Sequence, residues 1–515
     1  MALREGNRQQ MEMMPPSIEQ YIPDDTPVRV YDAFVEAMDL KDLGIDINPS
    51  KEGNPCYDPR AMLKLLVYGY SYGVRSSRKL EREAHYNLTF IWLMGGLRPD
   101  HKTIAEFRRR HKEALKKALG QCVNMCMKLD LIAGNILFVD GSKIRANASI
   151  KNTWSVEKCR KVLRKAERRI EEIISESEAI DKEEEGMPSL VSVNKELANA
   201  QVLKERISQI MEELRESGKP VVNTVDKECT RTNSVQGTHA GYNAQVVVDD
   251  GNGLIVSCDA VDANNDIGQF SRQIDQAQEA LGQKCAVAVA DSGYAWTDDL
   301  AKVDKQGIRV IVPTQRIVSQ RAPGEFDKEN FRYDRDRDCY ICPQGAILRY
   351  GGVARKSYSR AYVIENRETC RACSKFGRCT TACRGRKVLR LVEEDLRSRL
   401  EREYGLSQNQ AIYKRRGEKV ELVFGHMKRN LGVTSFLMRG RSAVRAELSL
   451  LSVCFNLRRM MTLLGVEGLI RALRRVSPVP VIPQTHTFPN NYRPQPVTNN
   501  QIRRFGALTL SPAFS

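Results

Sequence analysis

The segment Asn135-Ile136-Leu137-Phe138-Val139-Asp140, followed by Gly141-Ser142-Lys143, is a short apolar run that ends in an acid. Its brevity and unbroken apolar character predict a buried strand with a carboxylate at its C-terminal end. The arrangement returns at Cys285-Ala286-Val287-Ala288-Val289-Ala290-Asp291, followed by Ser292-Gly293. A lone Asp at a strand end more often caps a loop or helix than carries chemistry. Two apolar strands that each end in Asp and a Gly/Ser pair make Asp140 and Asp291 candidate functional carboxylates.

Around these strands the chain keeps changing period. Residues 242–249 and 254–258 read as strands joined by Asp250-Gly251-Asn252-Gly253, a hairpin-turn composition. Phe270, Ile274, Ala277 and Leu281 mark one side of an amphipathic helix over about 266–281. Asn265 and Asp266 at its start read as helix caps, or as groups that support a site. Arg309-Val310-Ile311-Val312-Pro313 is a further buried strand, and residues 411–463 read as helices that carry acids at Glu418 and Glu421. Those two acids lie three apart and can face one side of a helix. The order of elements gives an α/β class and resembles the ribonuclease-H-like fold, in which the first and fourth strands lie side by side and a late helix adds a third acid. Three carboxylates in one cleft suit two Mg2+ or Mn2+ ions. Two such ions can activate the attacking oxygen and stabilise the leaving oxygen of a phosphoryl displacement.

The rest of the chain is helical or inserted. Residues 1–130 read as a helical N-terminal domain, with Pro59 near a helix start and Leu63, Leu66, Val67 and Tyr70 on one face. Arg75, Arg78, Lys79, Lys102, Arg108 and Arg109 add base to these helices and are candidate DNA contacts, a solvated basic face being the ordinary alternative. The catalytic domain is expected over 131–465, interrupted by a charged helical hairpin at 155–217 and a Cys-rich insertion at 330–390. Residues 476–515 hold seven of the 20 Pro and read as a flexible tail.

Composition narrows the partner. With 81 Lys+Arg against 64 Asp+Glu, the 515-residue chain carries a formal charge of +17. That excess biases long-range association towards a polyanion, with nucleic acid foremost. No apolar run reaches the length of a membrane span, and Met1-Ala2-Leu3-Arg4-Glu5 lacks the apolar block of a signal peptide, so a soluble cytosolic protein is expected.

The stretch Tyr413-Lys414-Arg415-Arg416-Gly417-Glu418-Lys419-Val420-Glu421, with Phe424-Gly425 and Lys428, resembles the Tyr-Arg-Glu-Lys signature of bacterial insertion-sequence DDE transposases. Six residues separate Glu421 from Lys428 and two separate Tyr413 from Arg416, as in that signature. Four separate Arg416 from Glu421 where the common form has three. Tyr68-Gly69-Tyr70 with Arg75-Ser76-Ser77-Arg78, Arg98-Pro99-Asp100-His101-Lys102-Thr103-Ile104 with Phe107-Arg108, Gly241-Tyr242-Asn243-Ala244-Gln245, and Asn456-Leu457-Arg458-Arg459 extend the likeness over about residues 10–465. It implies an enzyme that cuts and joins DNA at the ends of its own mobile element. Asp140, Asp291 and Glu421 would hold Mg2+, Lys428 would meet a phosphate, and Tyr413 and Arg416 would contact DNA. The resemblance further implies a homodimer on paired ends and a cytoplasmic protein that joins the nucleoid when bound. A metal-dependent nuclease without strand transfer and a non-catalytic DNA-binding descendant are the competing readings.

Of 14 Cys, six crowd into one segment: Cys339, Cys342, Cys370, Cys373, Cys379 and Cys383. In a reducing compartment such crowding points to metal rather than disulfides. Cys339-Tyr340-Ile341-Cys342 and Cys370-Arg371-Ala372-Cys373 form two CxxC knuckles, each able to fill two corners of a tetrahedron around structural Zn2+. Either Cys379 or Cys383 could replace one of the four.

Overall fold

The strand Ile136–Arg145 pairs in parallel with Val287–Ala290, with Phe138 beside Val289 and Val139 beside Ala290. Asp140 and Asp291 are the next residues in that register, so they stand at one level, Asp140 within its strand and Asp291 just past the end of its own. The computed structural model in which this is seen describes residues 16–46, 56–183, 190–234, 237–319, 324–354 and 359–476. The Pro-rich tail, from residue 477 on, and the break within the helical hairpin lie outside the described residues.

Six strands make the central sheet. On one side of the Asp140 strand, Gly237–Asp249 runs antiparallel, and its far edge is shared by Thr230–Ser234 and Ile255–Val261. On the other side, Val287–Ala290 pairs in parallel with Arg309–Ile311. All four residues of Val287–Ala290 are buried. This is why an inner parallel strand reads as a continuous apolar run rather than an alternating one.

Helices cover the sheet, beginning with the N-terminal set. Pro59–Ser71 starts with Pro at its first position and Asp58 as cap, whose carboxylate accepts from the Arg60 amide at 2.9 Å. His101–Arg110 is capped by Asp100, which accepts from the Thr103 amide at 2.8 Å. Both regions meet on Arg441–Leu464, a 24-residue helix packed against Lys112–Lys128, Pro59–Ser71 and the strand Ile255–Val261. One continuous hydrophobic core therefore runs from Ile22 through the sheet to Leu473.

Two expected DNA contacts belong to this junction. Arg75, 6 % exposed, donates to the carbonyls of Gly432 and Ser435 and pairs with Glu447 at 3.1 Å. Arg108, 8 % exposed, donates to the Arg75 carbonyl and the Tyr70 hydroxyl, each at 2.9 Å. Glu447 also accepts from the Leu437 and Met438 amides at 2.8 and 3.0 Å. Burial pushes its carboxyl up against the pull of Arg75 and these amides. The expectation that Arg75 and Arg108 reach DNA gives way to a structural role, because both guanidiniums are spent on buried partners. Arg78, Lys79, Lys102 and Arg109 remain exposed, Arg109 in an ion pair with Glu106 at 2.6 Å.

The insertions carry their own cores. Val156–Glu183 and Leu190–Ser217 pack as a hairpin on a two-stranded base, Thr153–Ser155 with Val221–Asn223, around Cys159, Ile207, Ile210, Leu214 and Val222. A five-stranded antiparallel sheet follows the Arg309–Ile311 strand, in the order Lys387–Arg390, Ser359–Ile364, Ile347–Ala354, Cys339–Ile341, Arg332–Asp334.

Removing one partner of a buried ion pair strands the other charge at a cost of about 3–5 kcal/mol. Arg75→Ala is expected to lose stability on that scale in urea denaturation followed by circular dichroism. Arg78→Ala, at an exposed position, should stay within about 0.5 kcal/mol of the native chain.

Candidate active site

Asp140 sits inside its strand with a side chain 17 % exposed and accepts from its neighbour's Gly141 amide at 2.9 Å. Asp291 ends its strand and accepts from the Gly293 amide at 2.8 Å, which turns the chain into a short 3-10 segment. Burial raises the Asp140 carboxyl from 3.8 to about 6. Arg416 and the Gly141 amide pull it back, while the nearby Asp291 and Asp266 push it further up. A crowd of carboxylates this close disfavours full ionisation unless a cation joins it.

Asp266, read from the sequence as a helix cap or as a group that supports the site, stands beside the aspartates. It does not cap the following helix, Phe270–Leu281, whose N-cap is Gln269. Its Oδ1 instead accepts from Asn243 Nδ2 and Gln245 Nε2, both at 2.7 Å, and Lys143 Nζ lies 3.4 Å from each of its oxygens. Tyr294 donates to Gln245 Oε1 and so locks the amide that holds Asp266. A Cβ at 141 would stand 2.3 Å from Gln245 Nε2 and 2.6 Å from Asp266 Oδ1, so any larger residue there must displace these two side-chain ends. The signal in the sequence was Asn243 and Gln245, alternate residues of a strand that points both amides to one face. Their target lies more than twenty residues on, so nothing local identified it.

The late helix reaches this cluster through an irregular turn. Ser407–Arg416 continues into a π-helical turn, Gly417–Glu421, and then into Leu422–Arg429. Five steps of an α-helix leave two side chains about 140° apart, whereas a π turn, at roughly 4.4 residues per turn, leaves about 50°. The extra residue between Arg416 and Glu421 is thereby absorbed, and the two stay on neighbouring faces as the shorter spacing would place them. Arg416 Nη1 lies 3.7 Å from Asp140 Oδ1, and its Nε and Nη1 are buried without a hydrogen-bond partner. Lys428 Nζ donates to Ser142 Oγ at 2.7 Å, two residues along the strand from Asp140. Tyr413 rests under Arg416, with the guanidinium carbon 5.6 Å from the ring centroid, and against Tyr404.

Glu421 is exposed, and no hydrogen bond or ion pair joins it to either aspartate. Among the described residues no three His, Cys, Asp or Glu side chains stand together as a formed metal site. The structure thus brings Asp140, Asp291, Arg416 and Lys428 together, adds Asp266 and Lys143, and leaves Glu421 at the rim. His426 takes no part: its ring packs on Phe455 and its Nδ1 meets Asn430.

Two family models match the chain. Residues 16–110 match the Transposase domain (DUF772), which covers the N-terminal helices. Residues 341–461 match the Transposase DDE domain, which contains Tyr413, Arg416, Glu421 and Lys428. Asp140 and Asp291 lie between the two matches. Searches of curated proteins and of solved structures returned no match. No helix among the described residues is long and apolar enough to cross a membrane. Two transposase-domain models, matching separate segments on either side of Asp140 and Asp291, support reading the chain as an insertion-sequence DDE transposase.

Proposed function

We propose that the protein is a DNA transposase that cleaves at the ends of its insertion sequence and joins the freed 3′-hydroxyl to target DNA. The observation that carries this reading is the meeting of Asp140 and Asp291, on adjacent parallel strands, with Arg416 and Lys428 from one late helix. The sheet order, three antiparallel strands continued by two parallel ones with the aspartates on the central pair, supports a ribonuclease-H-like core.

Asp140 and Asp291 supply hard oxygen donors that suit divalent metal, Glu421 at the rim would be the third, and the mutual push of the half-buried aspartates is what a dication would relieve. Magnesium or manganese held there would supply Lewis-acid polarisation of the phosphate and a more acidic water. The chain's own part is positioning and charge. The orphaned Nε and Nη1 of Arg416 are donors awaiting an acceptor, and a phosphodiester oxygen suits a guanidinium. Lys428, exposed and tethered only to Ser142, places a second cation beside the same strand. The Gly141 and Gly293 amides hold the two aspartates in place, and Asp266, fixed by Lys143, Asn243 and Gln245, sets the floor beneath them. Fixed charge near a transferring phosphoryl group supplies most of the catalysis such a reaction needs. Flanking duplex would be drawn by the exposed Arg78, Lys79, Lys102 and Arg109, and pairing two ends calls for a dimer.

Three outcomes are expected. With labelled duplex carrying the element boundary, Mg2+ or Mn2+ should yield 3′-hydroxyl ends. Asp140→Ala, Asp291→Ala and Glu421→Ala should each lose at least about 10³-fold in cleavage while DNA affinity changes little; a folded native chain that binds the ends and never cuts them would overturn the reading. Asp266→Asn should lower kcat by about 10- to 100-fold with DNA affinity preserved, as for a residue that orients metal ligands rather than binding DNA. The third outcome concerns pH. With chelator present, a carboxyl raised from 3.8 to about 6 in the folded chain binds more protons folded than unfolded over that range, so it erodes stability as pH rises from about 4 to 6 and leaves roughly 3 kcal/mol missing above it. Asp140→Asn should therefore unfold at higher temperature than the native chain at pH 7.5 and show little difference near pH 4. Calorimetry at the two pH values checks the sign.

A further inference from the structure

Outside the carboxylate cluster, the chemistry-bearing side chains gather at one edge of the five-stranded insertion sheet. Cys342, Cys370, Cys373 and Cys379 line a single cavity there, together with Phe326, Lys375 and Arg386. The other two cysteines of the segment do not. Cys339 lies within the strand Cys339–Ile341, 1 % exposed, and the alternation that turns Tyr340 into the insertion core sends Cys339 to the opposite face. Cys383 is exposed.

Three observations mark the four as a group. All four share the wall of that one cavity, and Cys342, Cys370 and Cys379 also pack against the apolar core of the insertion. The backbone turns at two of them as a metal knuckle does. Cys342 Sγ accepts from the Ala346 amide at 3.2 Å, in a turn closed by the Gly345 amide on the Cys342 carbonyl at 2.8 Å. Cys373 Sγ accepts from the Lys375 amide at 3.4 Å. Finally, the module's apolar core is small. Its core is Phe331, Tyr340, Leu348, Tyr362, Ile364 and Val388, with Cys342, Cys370 and Cys379 packed against it. A core that small ordinarily needs a disulfide or a metal, and all its cysteines are free.

We propose that Cys342, Cys370, Cys373 and Cys379 form a closed tetrathiolate site for zinc that staples the Cys-rich insertion, with Cys339 and Cys383 taking no part. The paired-CxxC assignment fails at Cys339 because a strand residue cannot face the cavity and the opposite side of the sheet at once. In this structure the thiols surround the cavity without converging, so the ion draws them inward across it. Each thiol that ligates gives up its proton to solvent, and Arg386, whose Nη1 donates to the Cys379 carbonyl at 2.9 Å, offsets part of the remaining negative charge. Four sulfur ligands leave no open position, so the role is structural. The inference stands apart from the proposal about DNA cleavage.

The test is metal content of the full-length chain purified in reducing buffer without chelator, by inductively coupled plasma mass spectrometry, with Co2+ replacement read by absorption. About one zinc per chain is expected in the native protein, in Cys339→Ser and in Cys383→Ser. At least a fivefold loss is expected in Cys342→Ser, Cys373→Ser and Cys379→Ser. Because a lost ligand can unfold the module, Cys379→His gives a second reading: it should keep the metal and shift the Co2+ ligand-field bands from an all-sulfur to a three-sulfur, one-nitrogen pattern, whereas Cys383→His should leave them unchanged. A folded native chain that takes up neither zinc nor cobalt overturns the proposal. So does metal lost from Cys339→Ser or Cys383→Ser and kept by Cys379→Ser.

Discussion

The parallel pairing of Ile136–Arg145 with Val287–Ala290 is the constraint on which the site depends. It joins segments about 150 residues apart in the chain, and its register alone sets Asp140 level with Asp291. A slip of one residue would turn one aspartate to the opposite face. The register is held because both strands are buried: Leu137, Phe138 and Val139 face Ala288, Val289 and Ala290 in a core that admits no shift without exposing apolar surface. Everything else at the site is arranged around that pair. Asn243 and Gln245 come from the next strand, Lys143 and Ser142 from the same strand, and Arg416 and Lys428 from a helix laid across its end.

A second constraint binds the N-terminal helices to this frame. The Arg75 and Glu447 pair, with Arg108 behind it, sits where the helix Pro59–Ser71, the loop before Arg441–Leu464 and that helix itself meet. Charges buried this deeply stabilise only when their hydrogen bonds are met. Here both guanidiniums find carbonyls and the carboxylate finds two backbone amides, and Arg75 Nε alone of these groups is left buried without a partner. The exposed cations of the N-terminal helices are thereby carried on the same continuous core as Asp140 and Asp291. Exposed cations on those helices keep the long-range pull that a charge of +17 provides.

The π turn at Gly417–Glu421 keeps the phase of the late helix despite an added residue. A helix that gains one residue rotates everything beyond it by about 100°, which would carry Glu421 and Lys428 away from Arg416. A single turn with i→i+5 bonding takes up the added residue, at the cost of poorer helical geometry, and such turns concentrate at functional sites. Arg416 retains its place near Asp140, and Lys428 its place beside Ser142.

Much of this was legible from residue patterns, because strand burial, helix capping and the signature around Glu421 are local. The apolar runs ending in Asp140 and Asp291, the amphipathic helix beginning at Phe270, and the charged hairpin are all coded within windows of ten to thirty residues by hydrophobic period and cap chemistry. What tertiary structure alone decided were the partners of polar side chains. Arg75 and Arg108 look like any basic residues on a helix until folding buries them against carbonyls more than 350 positions away in one case. Asp266 reads equally as a cap or a supporting group until the amides of Asn243 and Gln245 claim it. Cys339 fits a CxxC knuckle until strand alternation turns it from the thiols it would join. The period of a sequence fixes which face a residue takes on its own element, but an ion pair or a shared cavity depends on which elements meet, and that is set by the packing of the whole core.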